Sequence, residues 1–342
     1  MIIIAVVGMI LAFAITGLLG YTVIPYLHKL KFGQTILDIG PVWHKNKQGT
    51  PTMGGVMFII GVALALPTAL SLGKITGLLT DSGIIDQFGE ENRIIPLIAG
   101  VALAIGMAFI GFIDDYIKVV KKRNLGLTAK QKTMLQLLLA AAYLYTMYLG
   151  GMTSTRLPFF GYVDITKGFG LLFWPIALIF IYGFTNAVNL TDGVDGLATS
   201  VTAVVAIFFA VVAGVMSRYP LACLLSAIFL GGLLGFLLWN RHPAKVFMGD
   251  TGSMFLGGMA VALCFMIEMP ILLFFAGIVY FWEAISVVIQ VAYYKKTKKR
   301  IFKMTPIHHH YEMSGWSENK ICVVFSIITL VGCSIATALY LI

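Results

Sequence analysis

The chain has 342 residues, of which 59% are hydrophobic and 11% charged, with a formal net charge of +9. A soluble domain carries about 25% charged residues, so this composition excludes an ordinary soluble globule. The positive balance is read as cytoplasmic loops facing anionic lipid, not as a nucleic-acid surface. Apolar runs are continuous and about 20 residues long, without the alternation of a barrel strand, so an all-α polytopic membrane protein in a lipid bilayer is expected. Ten spans are expected at about 2–26, 52–72, 95–113, 132–150, 171–190, 198–215, 221–238, 252–267, 271–293 and 321–341. The first is read as a retained span, because no basic segment precedes it and no cleavage site follows. The whole of 1–342 is taken as one domain.

Charge tests that count. With ten spans, one alternate set of loops and span ends carries 19 of the 24 Lys and Arg residues, which assigns it to the cytoplasm. Both termini then face the periplasm. The outer loops 73–94 and 151–170 read as solvated turns. The four cysteines lie in apolar runs without paired spacing and imply neither a disulfide framework nor a metal cluster.

The unusual polar clusters fall on the cytoplasmic side. Asp114 and Asp115 sit where a membrane helix is expected to end in a basic loop. Adjacent carboxylates at that depth repel unless a cation or proton relieves them. Asn186, Asn189, Asp192 and Asp195 recur every three residues, so their oxygens can share a helix face, and Gly193 permits close backbone approach. A helix-ending turn with Asp caps is the plainer reading of that stretch. Asp250 lies between glycines before a span, where it can cap a helix or serve chemistry, and a helix start also favours phosphate. His308, His309 and His310 are consecutive; such residues splay apart, and no cysteine partners lie on this face, so zinc is discounted in favour of contacts to phosphate. Glu283 and Gln290 are seven residues apart in one span and share a face. Oxygen donors without thiolates suit Mg²⁺, and Mg²⁺ with lysines and helix starts suits a phosphate or pyrophosphate. A lipid transporter is the competing class, but polar groups crowded at one face do not form a midplane path.

The stretches GTPTMGG (49–55), GFIDDYIK (111–118), NAVNLTDGVDGLA (186–198), FMGDTGS (247–253) and PIHHHYE (306–312) resemble those of phospho-N-acetylmuramoyl-pentapeptide transferases, in the polyprenyl-phosphate phosphosugar transferase superfamily. The family often has Phe where this chain has Tyr311. The resemblance implies transfer of phospho-MurNAc-pentapeptide from UDP-MurNAc-pentapeptide to undecaprenyl phosphate, with lipid I and UMP as products and Mg²⁺ required. It implies a homodimer in the bacterial inner membrane with its active site facing the cytoplasm. The PIHHHYE stretch separates this branch from relatives using UDP-GlcNAc. By the same resemblance Asp250 is the metal ligand, with Asp114 nearby, and Asp115 deprotonates or positions the lipid phosphate. Asn189, Asp192 and Gly193 hold the nucleotide, Phe247 stacks on uracil near Asn240, and Lys47 and Thr52 line the nucleotide–sugar side. His309 and His310 contact phosphate or sugar, and Gln290 faces the cleft. Lys132 falls at the family's lysine, although Lys130 is close enough to confuse the assignment.

Overall fold

The computed structural model describes residues 2–30, 47–77, 94–121, 125–215 and 219–342. Its long helices are α1 (Ile2–Lys29), α2 (Val56–Ile75), α3 (Ile94–Val120), α4 (Ala129–Leu149), α5 (Phe173–Thr191), α6 (Leu197–Val215), α7 (Pro220–Asn240) and α8 (Gly249–Met266). The chain ends with α9 (Leu273–Ala276), α10 (Ile278–Thr297), α11 (Ile307–Glu312) and α12 (Glu318–Leu341). Among the described residues, eight helices are long and apolar enough to cross a membrane, and the bent pair Pro270–Ala276 and Ile278–Thr297 makes a ninth if taken as one span. The protein is a multi-pass helical membrane protein.

Three expectations need correction. The run 271–293 is not one straight helix: it breaks at Gly277 and turns by 80°. The first of the adjacent aspartates does not end a helix, because α3 continues through Asp114, Asp115 and Lys118 to Val120. Lys118 offsets both carboxylates from positions one turn on, which keeps this polar tail helical. The outer loop 151–170 is not merely turns. Strands β1 (Ser154–Leu157) and β2 (Gly161–Asp164) pair antiparallel, from Ser154 opposite Asp164 to Leu157 opposite Gly161. The Arg156 N–H and the Thr155 hydroxyl both donate to the Glu268 carbonyl, which docks this hairpin on the turn after α8. The acidic outer loop predicted to contain Asp81, Asp86, Glu90 and Glu91 lies outside the described residues.

Local signals explain several helix starts. Thr128 and Gln131 form a reciprocal capping box for α4. Pro220 opens α7, where its missing N–H is no loss. Ser317 caps α12 by accepting the Lys320 N–H.

Helix α8 is the centre of the arrangement. Nearly every residue from Thr251 to Met266 is buried, and α3 and α5 run along it. Lipid tails are as apolar as leucine, so helices in a bilayer associate through close fit of small residues. Gly257 lies against Thr185 of α5 and Gly258 against Ala104 of α3. At the start of α8 the approach is tighter still. A Cβ on Gly55 would overlap the Gly252 backbone, and one on Gly111 would overlap the Asp250 carbonyl. Three chain segments therefore converge where α8 begins.

Candidate active site

The convergence gathers charge. Asp114, Asp115 and Asp250 each place a carboxylate oxygen within 4.8 Å of the others. Asp250 Oδ2 accepts from both Lys118 Nζ and Lys132 Nζ, each at 3.0 Å. Its Oδ1 accepts from Asn189 Nδ2 at 3.0 Å, and that amide also donates to Ser253 Oγ at 2.7 Å. Asp114 Oδ2 pairs with Lys118 at 2.6 Å, and its Oδ1 accepts the Leu127 N–H at 2.8 Å. These groups come from the end of α3, the start of α4, the end of α5 and the start of α8.

Asp115 does something its position alone does not announce. Its Oδ2 accepts from the Thr251 N–H at 2.9 Å and the Thr251 hydroxyl at 2.7 Å, and its Oδ1 accepts the Asp250 N–H at 3.2 Å. A carboxylate from α3 thus satisfies two of the free N–H groups of α8 and meets the positive end of its dipole. Asp250 is not the cap, and its side chain is left to face the lysines. Thr52 Oγ1 lies beside the same point, within 2.8 Å of where a Cβ on Gly249 would stand.

Lys118 was not foreseen as a site residue, although its offsets of three and four from the adjacent aspartates were a usable signal. Lys132 reaches Asp250, whereas Lys130 is exposed. Asp192 is the half-buried residue just past α5. Burial pushes its carboxyl up to about 8, and the charges of Asp250, Asp115 and Asp195 push the same way.

Other predicted residues fall into a second cluster. Asp195 Oδ1 accepts from Lys47 Nζ at 2.7 Å, and its Oδ2 lies 3.0 Å from His242 Nδ1 and accepts the Ala244 N–H. Glu318 Oε2 accepts from Lys47 at 2.6 Å and from the Asp195 N–H at 2.8 Å. These groups line a cavity of about 580 Å³, together with Thr50, Glu312 and Trp316. Nothing in sequence spacing links Glu318 or His242 to Lys47. Phe247 is half-buried, and its backbone pairs with Pro51 and Gly54, holding the 47–55 segment against the start of α8.

Several predicted residues hold the frame instead of facing open space. Asn186 exchanges amide hydrogen bonds with Gln136 of α4. Asn240 is buried, accepting from Thr199 and donating to the Val246 carbonyl. Gln290 does not present its amide to the cleft. Its Oε1 accepts the N–H groups of Ile301 and Phe302, and its Nε2 donates to the Phe302 carbonyl. A polar side chain near three unpaired backbone groups serves them first. The three histidines have separate partners but do not all splay apart, since the His308 and His309 ring centroids lie 4.0 Å from each other: His308 Nδ1 lies 3.0 Å from Glu283, His309 Nδ1 lies 2.6 Å from Glu312, and His310 Nδ1 accepts the Lys303 N–H. Gly193 lies against the His308 ring.

Residues 97–268 match Glycosyl transferase family 4. Residues 47–59, the segment that brings Lys47 and Thr52, match Phospho-N-acetylmuramoyl-pentapeptide-transferase signature 1. A phospho-N-acetylmuramoyl-pentapeptide-transferase of Clostridium perfringens (strain SM101 / Type A) is 43% identical over 334 residues, covering 97% of this chain and 96% of the relative. One from Acetivibrio thermocellus is 44% identical over 326 residues, covering 95% and 92%. One from Clostridioides difficile (strain 630) is 41% identical over 322 residues, covering 94% and 93%. Both charge clusters lie within the shared length, and the chain belongs to the phospho-N-acetylmuramoyl-pentapeptide-transferase family.

Proposed function

We propose that the chain transfers phospho-MurNAc-pentapeptide from UDP-MurNAc-pentapeptide to undecaprenyl phosphate, giving lipid I and UMP at the cytoplasmic face of a bacterial inner membrane. The observation that carries this reading is the meeting of Asp114, Asp115 and Asp250 with Lys118 and Lys132 at one helix start. An acceptor phosphate oxygen attacks the sugar-side phosphorus of the pyrophosphate, the bond to the bridging oxygen breaks, and UMP leaves with that oxygen. Negative charge grows on the leaving side, and fixed cations in a partly dry site stabilise it. Lys118 and Lys132 are those cations. The three carboxylates are hard oxygen donors suited to magnesium, with Asp250 the least buried member and therefore the residue to hold it. Bound magnesium supplies charge neutralisation on the pyrophosphate. Both Asp115 oxygens are engaged by the α8 start, which supports a positioning role over a covalent one. UMP release is then expected only when acceptor lipid is present; a stoichiometric burst of UMP from enzyme and donor alone would reverse that assignment.

The same geometry supports ten spans. Lys132 in the first turn of α4 and Asn189 at the end of α5 both reach Asp250, so α4 runs away from the cluster and α5 returns to it. At 1.5 Å per residue, the 21 residues of α4 extend about 31 Å, enough to cross a bilayer core. Its polar first turn is what lowers its apolar character. Counting α4, both termini are periplasmic and the charge cluster is cytoplasmic. A homodimer belongs to the same reading, tested by sedimentation in detergent. The decisive assay uses purified protein, Mg²⁺, polyprenyl phosphate and either UDP-MurNAc-pentapeptide or UDP-GlcNAc. UMP release with the first donor is expected; release only with the second would assign the relative's activity, and none with either would end the enzyme reading.

A further inference from the structure

We propose that Glu283 is a positioning residue for the transfer reaction, acting through His308 on the turn that ends α5. This rests on the transferase reading above. Glu283 stands on α10, after the break at Gly277, and both it and His308 are 0% exposed. A carboxylate at membrane depth is costly and is kept where it has a task. Its Oε2 accepts the His308 backbone N–H at 3.4 Å and lies 3.0 Å from His308 Nδ1. One oxygen serving both groups fixes the rotation of the ring and places the ring proton on Nδ1.

The far side of the ring meets the nucleotide turn. His308 Nε2 has no hydrogen-bond partner among the described residues, nor has Glu283 Oε1. A Cβ on Gly193 would overlap Nε2, so the ring edge rests on the Gly193 backbone. Gly193 follows Asp192, and the same turn starts from Asn189, whose amide holds Asp250 Oδ1. The path from Glu283 through His308 and Gly193 to Asn189 is continuous, and each contact fixes the next. Glu283 touches neither the carboxylate cluster nor the cavity; it sets where the turn stands.

Three proteins test this: wild type, Glu283→Gln and Glu283→Leu, each assayed for UMP release and, by thermal melting in detergent, for folding. The Gln oxygen still accepts from His308, so its kcat/KM is expected within about fivefold of wild type, whereas the Leu variant loses ~10²-fold in kcat/KM, the scale of a slightly misplaced reacting group. A Leu variant that turns over like wild type overturns the proposal, as does a Gln variant that falls as far as Leu. Should the Leu variant show no cooperative melting, the ¹⁵N signals of the His308 ring in wild-type protein decide: a single Nδ1-protonated tautomer is expected, and an Nε2-protonated ring overturns it. UMP release by wild type with no effect at Glu283 sinks this inference alone; no release by wild type sinks the transferase reading.

Discussion

Asp250 holds two ammonium groups on one oxygen and an amide on the other, and no other carboxylate among the described residues is so placed. Its replacement by Ala is expected to lower turnover by at least about 10²–10³-fold, the scale of losing preorganised stabilisation of a transition state, because Asp250 holds the cations that supply it. Lys132→Ala is expected to lose a similar factor and Lys130→Ala almost nothing, because only Lys132 reaches the cluster; equal losses in the two variants would break the assignment. Asp192 gives a pH test. Its folded-state pKa of about 8 lies far above the value of about 3.9 in an unfolded chain, so the fold holds a proton that the unfolded chain releases. Stability is lost as pH rises from about 4 to 8, then stops changing. Asp192→Asn removes that loss. Its melting temperature relative to wild type is therefore expected to climb over that interval without metal, and a flat difference would count against a protonated Asp192 in the folded protein. At this scale the sequence displayed which residue types bear chemistry, since charge inside apolar runs stands out. Their partners were not legible: the claim of Glu318 on Lys47 joins residues 271 positions apart, and Gln290 reads as a cleft residue until the backbone beside it is known.

Asp115 connects the residue scale to the helix it caps. Asp115→Ala leaves the first N–H groups of α8 without their acceptor inside the protein, at a cost of about 1–2 kcal/mol for the cap and more for buried donors left unpaired. Both Asp115→Ala and Asp250→Ala are expected to be inactive, but the former lowers the melting temperature further. Equal melting temperatures would remove the capping role. Long apolar runs made most helices plain from composition alone, and their ends shifted by only a few residues. The errors have separate causes. The tail of α3 is helical because Lys118 compensates Asp114, a contact that hydropathy ignores. The 80° break at Gly277 sits inside an apolar run, where nothing polar marks it. The hairpin is short, and its docking on the Glu268 carbonyl is a tertiary event.

Across the whole molecule, the cluster draws on the ends of four helices, and the proposed ten-span path predicts on which side each loop lies. A cysteine replacing Phe159 in the hairpin is expected to react with an impermeant thiol reagent from the periplasmic side, and one replacing Lys298 only from the cytoplasmic side. Labelling of both from one side would mean an even number of spans between them and would break the ten-span reading. The double grip of Lys118 and Lys132 on Asp250 has a thermodynamic consequence for ligand order. On the proposed reading, in which Asp250 holds magnesium, a divalent ion arriving alone would compete with the two ammonium groups already paired with that carboxylate. A pyrophosphate arriving with it gives those ammonium groups new partners and frees the carboxylate. The two ligands should therefore show positive heterotropic linkage, each tightening the other by the same factor: magnesium titrated against the enzyme alone binds weakly, and saturating nucleotide sharpens that isotherm.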